Sequence, residues 1–384
     1  MSSALDHLGR RLTELDAEGR RRAPSTLPAG TIVWCSNDYL GYAASPLRPT
    51  AAAAGSGASR LISGDDPHHR EAELSLASWV GAEAALIFSS GYAANVGLLS
   101  ALAEAGDLIL SDALNHASII DGCRLSRAEV AIVPHRDLSA LERHLETARD
   151  RRCWVVTESY FSMDGQSPDL RALRALCDAY GAGLIVDEAH ALGVFGPEGR
   201  GLAADAGVRP DVLVGTLGKA VGLQGAFVAG PARLRDWLWN RARSFVFSTG
   251  PSPAVTAALP ERVGAVRRHD DLRARLRQAS DDLRDALRTR GAEIPGDNHG
   301  PVVPWILGAE GVAMAASRAL LERGLFVQAI RPPTVPVGTS RLRFTVCAAP
   351  GDATSPPGGC PVAARITDLV AAIDDIPSVV VTPR

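Results

Sequence analysis

The chain has 384 residues, 46% of them hydrophobic and 22% charged, which is typical of a globular protein with room for two domains. Its 40 basic and 43 acidic residues give a formal net charge of −3, which does not indicate a nucleic-acid-binding surface. Six cysteines form no CxxC pair and no Cys/His ligand spacing, so we expect free thiols and no metal site. No apolar run reaches the roughly 18 residues of a membrane span and the N-terminus has no apolar leader, which together predict a cytoplasmic protein.

Residues 1–40 form a predicted N-terminal arm that begins with an amphipathic helix over residues 3–22. Ser2 or Ser3 can cap the start of this helix. The arm is too short to be a domain, so we expect it to pack on the body of the protein or on a second subunit. The apolar positions at helical spacing, followed by the residues that break the pattern, are Leu5, Leu8, Leu12 and Leu15, then Pro24, Pro28 and Gly30.

Residues 41–255, predicted as a large domain, alternate short apolar runs with helix-like stretches such as Leu138–Ala148 and Leu170–Ala179. Continuous apolar runs that alternate with helices are typical of a mostly parallel sheet covered on both faces. The sequence therefore predicts an α/β fold built on seven strands. These strands are Leu86–Phe88, Leu108–Leu110, Val130–Val133, Trp154–Val156, Leu184–Val186, Val212–Val214 and Ala226–Val228.

Polar side chains follow several of these strands, at the edge where such sheets bind ligands. Asp187 ends a strand that should be buried on both faces, and Lys219 follows the next strand, between Gly218 and Ala220. This pair suggests a pyridoxal 5′-phosphate (PLP) site, in which Lys219 holds the aldehyde and Asp187 holds the pyridinium nitrogen. A solvated lysine and a helix-capping aspartate are the alternative interpretations.

Other strand ends carry groups that suit the same cofactor. Gly91 opens a helix pattern after a strand, which presents free N–H groups to a phosphate, and Ser248–Gly250 offers hydroxyls to it. His116 could stack on the pyridine ring, and His190 could donate a hydrogen bond to its phenolic oxygen. Each pattern taken alone is equally consistent with an ordinary loop or core residue.

Residues 256–384 are predicted as a smaller α/β domain, in which residues 349–361 are a loop. Alternation along its last strand places Arg341 and Arg343 on the same face, where one could clamp an amino-acid carboxylate or the two could form a surface pair. The predicted helices are Asp270–Arg290, with Leu272, Leu276, Leu283 and Leu287 on one face, and Val312–Arg323. The predicted strands are Val302–Val303, Phe326–Val327 and Leu342–Val346.

Four segments in this order resemble the α-oxoamine synthases, which are PLP-dependent transferases of fold type I. The segments are Ser36–Gly41, Phe161–Gly165, Asp187–His190 and Ala329–Arg343. The resemblance covers nearly the whole chain and implies a homodimer. Residues 329–336 are particular to the branch of the family that joins L-alanine to pimeloyl-CoA or a pimeloyl-acyl carrier protein with loss of CO2. The resemblance therefore implies that reaction.

The resemblance also implies roles for the candidate cofactor residues. Lys219 would bind PLP covalently, Asp187 would pair with the ring nitrogen, and His116 would stack on the ring. The remaining cofactor contacts that it implies are Gly91, Tyr92, Ser162, His190, Thr216 and, from the neighbouring subunit, Thr249.

For the substrates, the resemblance implies that Asn37 and Arg343 hold the amino-acid carboxylate and that Arg20 and Thr334 lie near the acyl group. Residues 45–59 are fewer than is usual in the family before the Gly/Ser-rich segment, which leaves the acyl-chain contacts open. The alternative functions are another α-oxoamine synthase, a PLP-dependent lyase or aldolase, and a PLP-free scaffold protein.

Overall fold

The computed structural model describes residues 4–18, 20–21, 26–47, 51–348 and 365–376. Within these ranges, every helix is too short or too polar to cross a membrane. The helices are α1 Asp6–Ala17, α2 Pro67–Val80, α3 Gly91–Leu102, α4 Ala117–Leu125, α5 Leu138–Thr147, α6 Leu170–Tyr180, α7 Leu202–Asp205, α8 Ala232–Arg241, α9 Arg243–Val246, α10 Pro253–Arg268, α11 Asp270–Thr289, α12 Glu310–Glu322 and α13 Ile366–Asp374.

The strands form a large sheet, a three-stranded sheet and a two-stranded pair. The large sheet has seven strands in the order β2-β8-β7-β6-β5-β3-β4. The strands are β1 Ile32–Val33, β2 Ala84–Phe88, β3 Leu108–Asp112, β4 Glu129–Val133, β5 Cys153–Glu158, β6 Gly183–Asp187, β7 Val212–Thr216, β8 Ala226–Gly230, β9 Val302–Gly308, β10 Leu325–Phe326, β11 Gln328–Ile330 and β12 Ser340–Thr345.

All seven predicted strands of the large sheet are confirmed, and the sheet is mostly parallel. The exception is β8, which runs antiparallel to both of its neighbours, β2 and β7. The cause is the short connection from β7 to β8, residues 217–225, because a parallel return needs a crossover of a dozen or more residues. Lys219 lies in this short connection, directly beyond the end of β7.

The smaller domain is built on an antiparallel sheet with the order β11-β12-β9. Both predicted long helices are confirmed, and the four leucines of α11 are buried. An N-terminal segment joins this domain, since β1 pairs in parallel with β10. Helix α10 continues across the predicted boundary at residues 255 and 256, and the domain limits stay predictions.

The N-terminal helix is shorter than predicted and has no side-chain cap. Ser2, Ser3 and Arg22 lie outside the described residues. All residues of α1 are exposed, including its apolar side chains, whereas β1 of the same arm pairs with β10, so the arm packs on the body of its own chain through β1 and not through α1. Packing against a second subunit stays a prediction.

The expectation that all six cysteines are free thiols is wrong, because Cys347 is disulfide-bonded. Spacing along the chain does not show which cysteines meet in space, so this bond was not predicted. The free cysteines among the described residues are Cys35, Cys123, Cys153 and Cys177. The predicted loop at residues 349–361 lies outside the described part of the chain.

Candidate active site

Three neighbouring strands of the large sheet end in the polar residues Glu158, Asp187 and Thr216. Glu158 and Asp187 lie opposite each other in the pairing of β5 with β6. Both carboxylates are buried, with 4% and 7% of each residue exposed. Two acids side by side in a buried site cannot both carry a charge at low cost, so their surroundings decide which one ionises.

Asp187 is surrounded by hydrogen-bond donors. One carboxylate oxygen accepts from the side-chain amide of Asn95 at 2.8 Å, and the other accepts from the backbone N–H of Ala189 at 2.8 Å. Asn95 is buried on α3 and also donates to Ser118 at 3.0 Å. These donors favour the ionised form of Asp187. Sequence patterns missed Asn95 because an asparagine in an apolar helix shows no sign of its partner.

Glu158 lies beside Asp187 without a comparable set of donors. It accepts one hydrogen bond, from the backbone N–H of His116 at 2.7 Å. Burial and then the charge of Asp187 raise the pKa of Glu158 to about 8, while Lys219 acts in the opposite direction. Near neutral pH, Glu158 is therefore mostly protonated. Glu158 was not predicted as a site residue, although it ends a strand in the same way as Asp187.

Lys219 is largely buried in the turn between β7 and β8, close to both acids. Burial lowers the pKa of Lys219 from 10.5 to about 8, an effect that Asp187 and Glu158 oppose and Arg343 reinforces. Gly222 closes this turn with its N–H bonded to the Lys219 carbonyl at 2.9 Å. It has a φ of +67°, and an added Cβ would lie 2.5 Å from the backbone of Tyr42, so packing requires a glycine there.

His116 forms the N-cap of α4, where its ring accepts from the N–H of Ser118 at 3.2 Å. The Ser118 hydroxyl lies 2.8 Å from the same ring nitrogen and links His116 through Asn95 to Asp187. Burial lowers the pKa of His116, with a further contribution from Lys219 and an opposing one from Asp187. A neutral, fixed imidazole therefore lies at the mouth of the site.

His190 is buried on the other side of Lys219 and lies 2.6 Å from the hydroxyl of Tyr39. Burial, helped by the charges of Lys219 and Arg343, holds the pKa of His190 well below its usual range. Burial also raises the pKa of Tyr39 to about 12, so the phenol keeps its proton. This contact makes Tyr39, from the segment resembling the family signature, a further site residue.

The N-terminus of α3 provides an anion site. Gly91 is its first residue, and Ser90 caps the helix by accepting from the N–H of Ala93 at 3.1 Å. The N–H groups of Gly91 and Tyr92 precede the first intrahelical bonds and are available to an anion. A Cβ added to Gly91 would lie 4.0 Å from the hydroxyl of Thr216, which places that hydroxyl at the same anion site.

Two of the predicted phosphate contacts, Tyr92 and Thr249, are exposed on this chain. The side chain of Tyr92 is half exposed and bonds to Asp121, so only its backbone faces the anion site. Thr249 is exposed on this chain, and the following Gly250 bonds to Ala58 at 2.9 Å. An exposed Thr249 is consistent with the expectation that it serves a neighbouring subunit.

Arg343 reaches the site from β12 of the smaller domain and is buried. Its guanidinium donates to the carbonyl of Ser162 at 2.6 Å, to Asn37 at 3.1 Å and to the hydroxyl of Thr345 at 3.2 Å. All of these partners are uncharged. A buried cation whose partners in the described residues are all neutral is suited to bind an anion.

A cleft of about 870 Å³ opens beside these residues, between the two domains. His116, Ser162 and Thr334 line it, so the structure brings these three predicted residues together. Arg20 does not line it; that side chain forms ion pairs with Glu18 and with Glu310 of α12. The apolar part of the lining comprises Leu114, Ile120, Phe161, Met163, Pro333, Val335 and Pro336.

Comparisons with known proteins agree with this geometry. Residues 29–355 match the family described as aminotransferase class I and II. The chain is 47% identical to an 8-amino-7-oxononanoate synthase of Anaeromyxobacter dehalogenans over 97% of both chains, and 50% identical to one of Anaeromyxobacter sp. over 91% and 93%.

Two solved structures extend the comparison. Serine palmitoyltransferase of Sphingomonas wittichii is 29% identical with a TM-score of 0.86 over 98% of both chains. An 8-amino-7-oxononanoate synthase of Francisella tularensis is 26% identical with a TM-score of 0.73 over 89% and 96%.

Proposed function

We propose, from the premise that this chain belongs to the class I and II aminotransferase family and within it to the 8-amino-7-oxononanoate synthases, that it is a PLP-dependent C-acyltransferase. The reaction joins L-alanine to a pimeloyl thioester, releasing CO2 and the free thiol, and serves biotin synthesis. The observation that carries the proposal is that buried Lys219 interacts with Asp187, Glu158 and Arg343, next to a cleft that Glu158, His116 and Ser162 line.

The donor set of the site fits PLP. The anion site at Gly91 and Thr216 suits a phosphate, and the carboxylate of Asp187 suits a protonated ring nitrogen. The amine of Lys219, with its pKa lowered to about 8, suits an aldehyde. When bound, PLP supplies a carbonyl that condenses with amines and a cationic ring that stabilises negative charge at the amino-acid Cα.

Lys219 has two tasks in this proposal. Its neutral amine would hold the cofactor through the aldehyde before alanine binds. Once free, the amine would take the proton from the Cα of alanine. A pKa near 8 suits both tasks, because a useful fraction of the amine is neutral near physiological pH and its conjugate acid still returns a proton.

Asp187 would keep the ring nitrogen protonated, and the donors from Asn95 and Ala189 hold its carboxylate in place. His116, fixed by Ser118, would stack on the ring and exclude water from it. His190, held by Tyr39, would donate to the phenolic oxygen. These contacts fix the ring, so that the Cα–H bond can be held perpendicular to it.

Arg343 and Asn37 hold the carboxylate of alanine. Arg343 has two N–H groups beyond the three that its protein partners use, which is enough for a bidentate contact. A carboxylate held there lies beside Lys219, since the charge of Arg343 contributes to the lowered pKa of that lysine. The alanine Cα is thereby placed within reach of the base.

The cleft accepts the acyl chain. Its apolar lining near Thr334 suits a seven-carbon chain, and His116 is also part of the lining. There the Cα of alanine forms a bond to the thioester carbonyl carbon and the thiolate leaves. The carboxylate of alanine is then lost as CO2, and a proton returns to the carbon.

A second candidate is a serine palmitoyltransferase-like α-oxoamine synthase, favoured by the TM-score of 0.86 to that enzyme. The fold does not distinguish the two candidate functions, because both reactions need the same lysine and aspartate. The test is product mass and thiol release from L-alanine or L-serine with pimeloyl-CoA, palmitoyl-CoA or pimeloyl-acyl carrier protein. Activity confined to alanine and a pimeloyl donor supports the first candidate, whereas serine with palmitoyl-CoA supports the second.

A homodimer forms part of the proposal. It would bring Thr249 of one subunit to the anion site of the other, and it would cover the exposed leucines of α1. Sedimentation of the purified protein tests it, with Thr249→Ala expected to weaken PLP binding. The cytoplasmic location stays a prediction.

A further inference from the structure

Two arginines of β12 point to the same loop, residues 159–167. Arg343 donates to the carbonyl of Ser162 at 2.6 Å, and Arg341 bonds to the carboxylate of Asp164. Both arginines are buried, with 3% and 5% of the residue exposed for Arg341 and Arg343. They are two positions apart on one strand, so their Cα atoms are about 7 Å apart.

The two arginines differ in the charge of their partners. Arg341 has an anionic partner, Asp164, in addition to two contacts with Thr339 at 3.0 and 3.2 Å. The hydrogen-bond partners of Arg343 in the described residues are neutral. The charge of Arg341 is thus balanced by Asp164, whereas the hydrogen-bond partners of Arg343 do not balance its charge.

The ion pair faces the substrate, since Arg341 and Asp164 line the same cleft as Ser162. If Asp164 carried no charge, an entering carboxylate would meet two buried cations from residues whose Cα atoms are about 7 Å apart. A carboxylate held at Arg341 would leave the amino-acid Cα displaced from Lys219. Displacements of about 1 Å already cost roughly 100-fold in rate, so this error would be severe.

Loop anchoring does not require the ion pair. Asn298 donates to the backbone carbonyl of Asp164 at 2.7 Å, and the N–H of Gly165 bonds to the carbonyl of Phe161 at 2.9 Å. Replacing a buried ion pair with apolar groups is often neutral or stabilising. Stability is therefore a weak explanation for keeping a partly buried aspartate opposite the buried Arg341.

We propose that Asp164 is a specificity-determining residue that occupies Arg341 as an internal counter-ion and so directs the amino-acid carboxylate to Arg343. The inference rests on the proposed function, in which Arg343 binds that carboxylate. It assigns a task to the aspartate of the Phe161–Gly165 segment that does not involve contact with the cofactor.

The test uses the PLP-loaded protein and propionate, a carboxylate that lacks an amino group and cannot react with the aldehyde. The variants are Asp164→Asn, the double variant Asp164→Asn/Arg341→Met, and the control Asp374→Asn. Asp374 forms a comparable pair with Arg290 at 2.6 and 2.8 Å, but on the surface. L-Alanine changes the absorbance of the PLP-loaded protein, and propionate should inhibit this change. The measurement is the inhibition constant of propionate.

We expect Asp164→Asn to bind propionate about tenfold more tightly than the parent protein, because it frees a buried cation. The double variant should return to within about threefold of the parent for both propionate and alanine. Asp374→Asn should match the parent. Equal propionate binding in Asp164→Asn and the parent would overturn the inference, as would a tenfold loss of alanine affinity in the double variant.

If Asp164→Asn does not fold, the double variant still tests the inference, because the double variant removes both charges of the ion pair from the cleft. Melting temperature and PLP content establish that each variant is folded. Failure of the proposed function looks different: the parent protein itself would show no absorbance change with L-alanine.

Discussion

Replacing Asp187 with asparagine removes the charge that pairs with the ring nitrogen while preserving the size of the side chain. Each oxygen of Asp187 already accepts one hydrogen bond at 2.8 Å, from Asn95 or Ala189, so an asparagine NH2 would face a donor. A hydrogen bond to a charged group contributes about 1.5–3 kcal/mol. At about 1.4 kcal/mol per tenfold change, we expect PLP to dissociate roughly 10- to 150-fold more readily.

The assay is the dissociation constant of PLP, measured by absorbance on dilution, together with exchange of the alanine Cα proton in deuterated buffer. Asp211→Asn is the matched control, because Asp211 lies at the opposite end of the same sheet and bonds to the N–H of Leu184 at 2.8 Å. Asp187→Asn with unchanged PLP affinity and unchanged exchange would refute the role given to this carboxylate.

Three other outcomes are expected. Lys219→Ala should lose covalent PLP, and its rate of thiol release should fall at least about 1000-fold, because both the anchor and the base are removed. Borohydride reduction and peptide mass spectrometry of the parent protein locate the attachment. The rate of PLP attachment to the apoprotein should rise with pH and level off above about pH 8, because only the neutral amine adds and the pKa of Lys219 is about 8. Gly97→Ala should cost about 1–3 kcal/mol in urea unfolding, because its Cβ would lie 2.3 Å from Ser244.

Gly9→Ala is the control for Gly97→Ala. Gly9 is also helical but has open space around it, so Gly9→Ala should be neutral or slightly stabilising. An attachment rate that keeps rising to pH 10 would contradict the lowered pKa of Lys219. In Lys219→Ala, PLP cannot attach to another lysine, because Lys219 is the one lysine in the sequence.

Sequence patterns predicted the elements of the fold because each depends on neighbours along the chain. The seven apolar runs of the large sheet and the leucine face of α11 follow from local periodicity. Lys219 and Asp187 could be selected for a related reason: each directly follows a buried strand, and parallel strands bring their carboxyl ends to one edge.

Periodicity failed where the outcome depended on distant parts of the chain. The leucines of α1 follow a helical pattern but remain exposed on this chain, because amphipathicity does not say which surface covers a helix. Cys347 is disulfide-bonded for reasons that spacing does not encode.

The α/β class and the positions of a lysine and an aspartate at adjacent strand ends could be predicted from the sequence, since strand burial and residue order are local properties. The three-dimensional structure set the surroundings of the two acids, because Asn95 from α3 reaches Asp187, and burial beside Asp187 raises the pKa of Glu158 to about 8. It also decided which of two arginines on one strand face is neutralised, because Asp164 lies 177 residues from Arg341 along the chain. Burial and charge pairing act through space, and a linear pattern cannot record them.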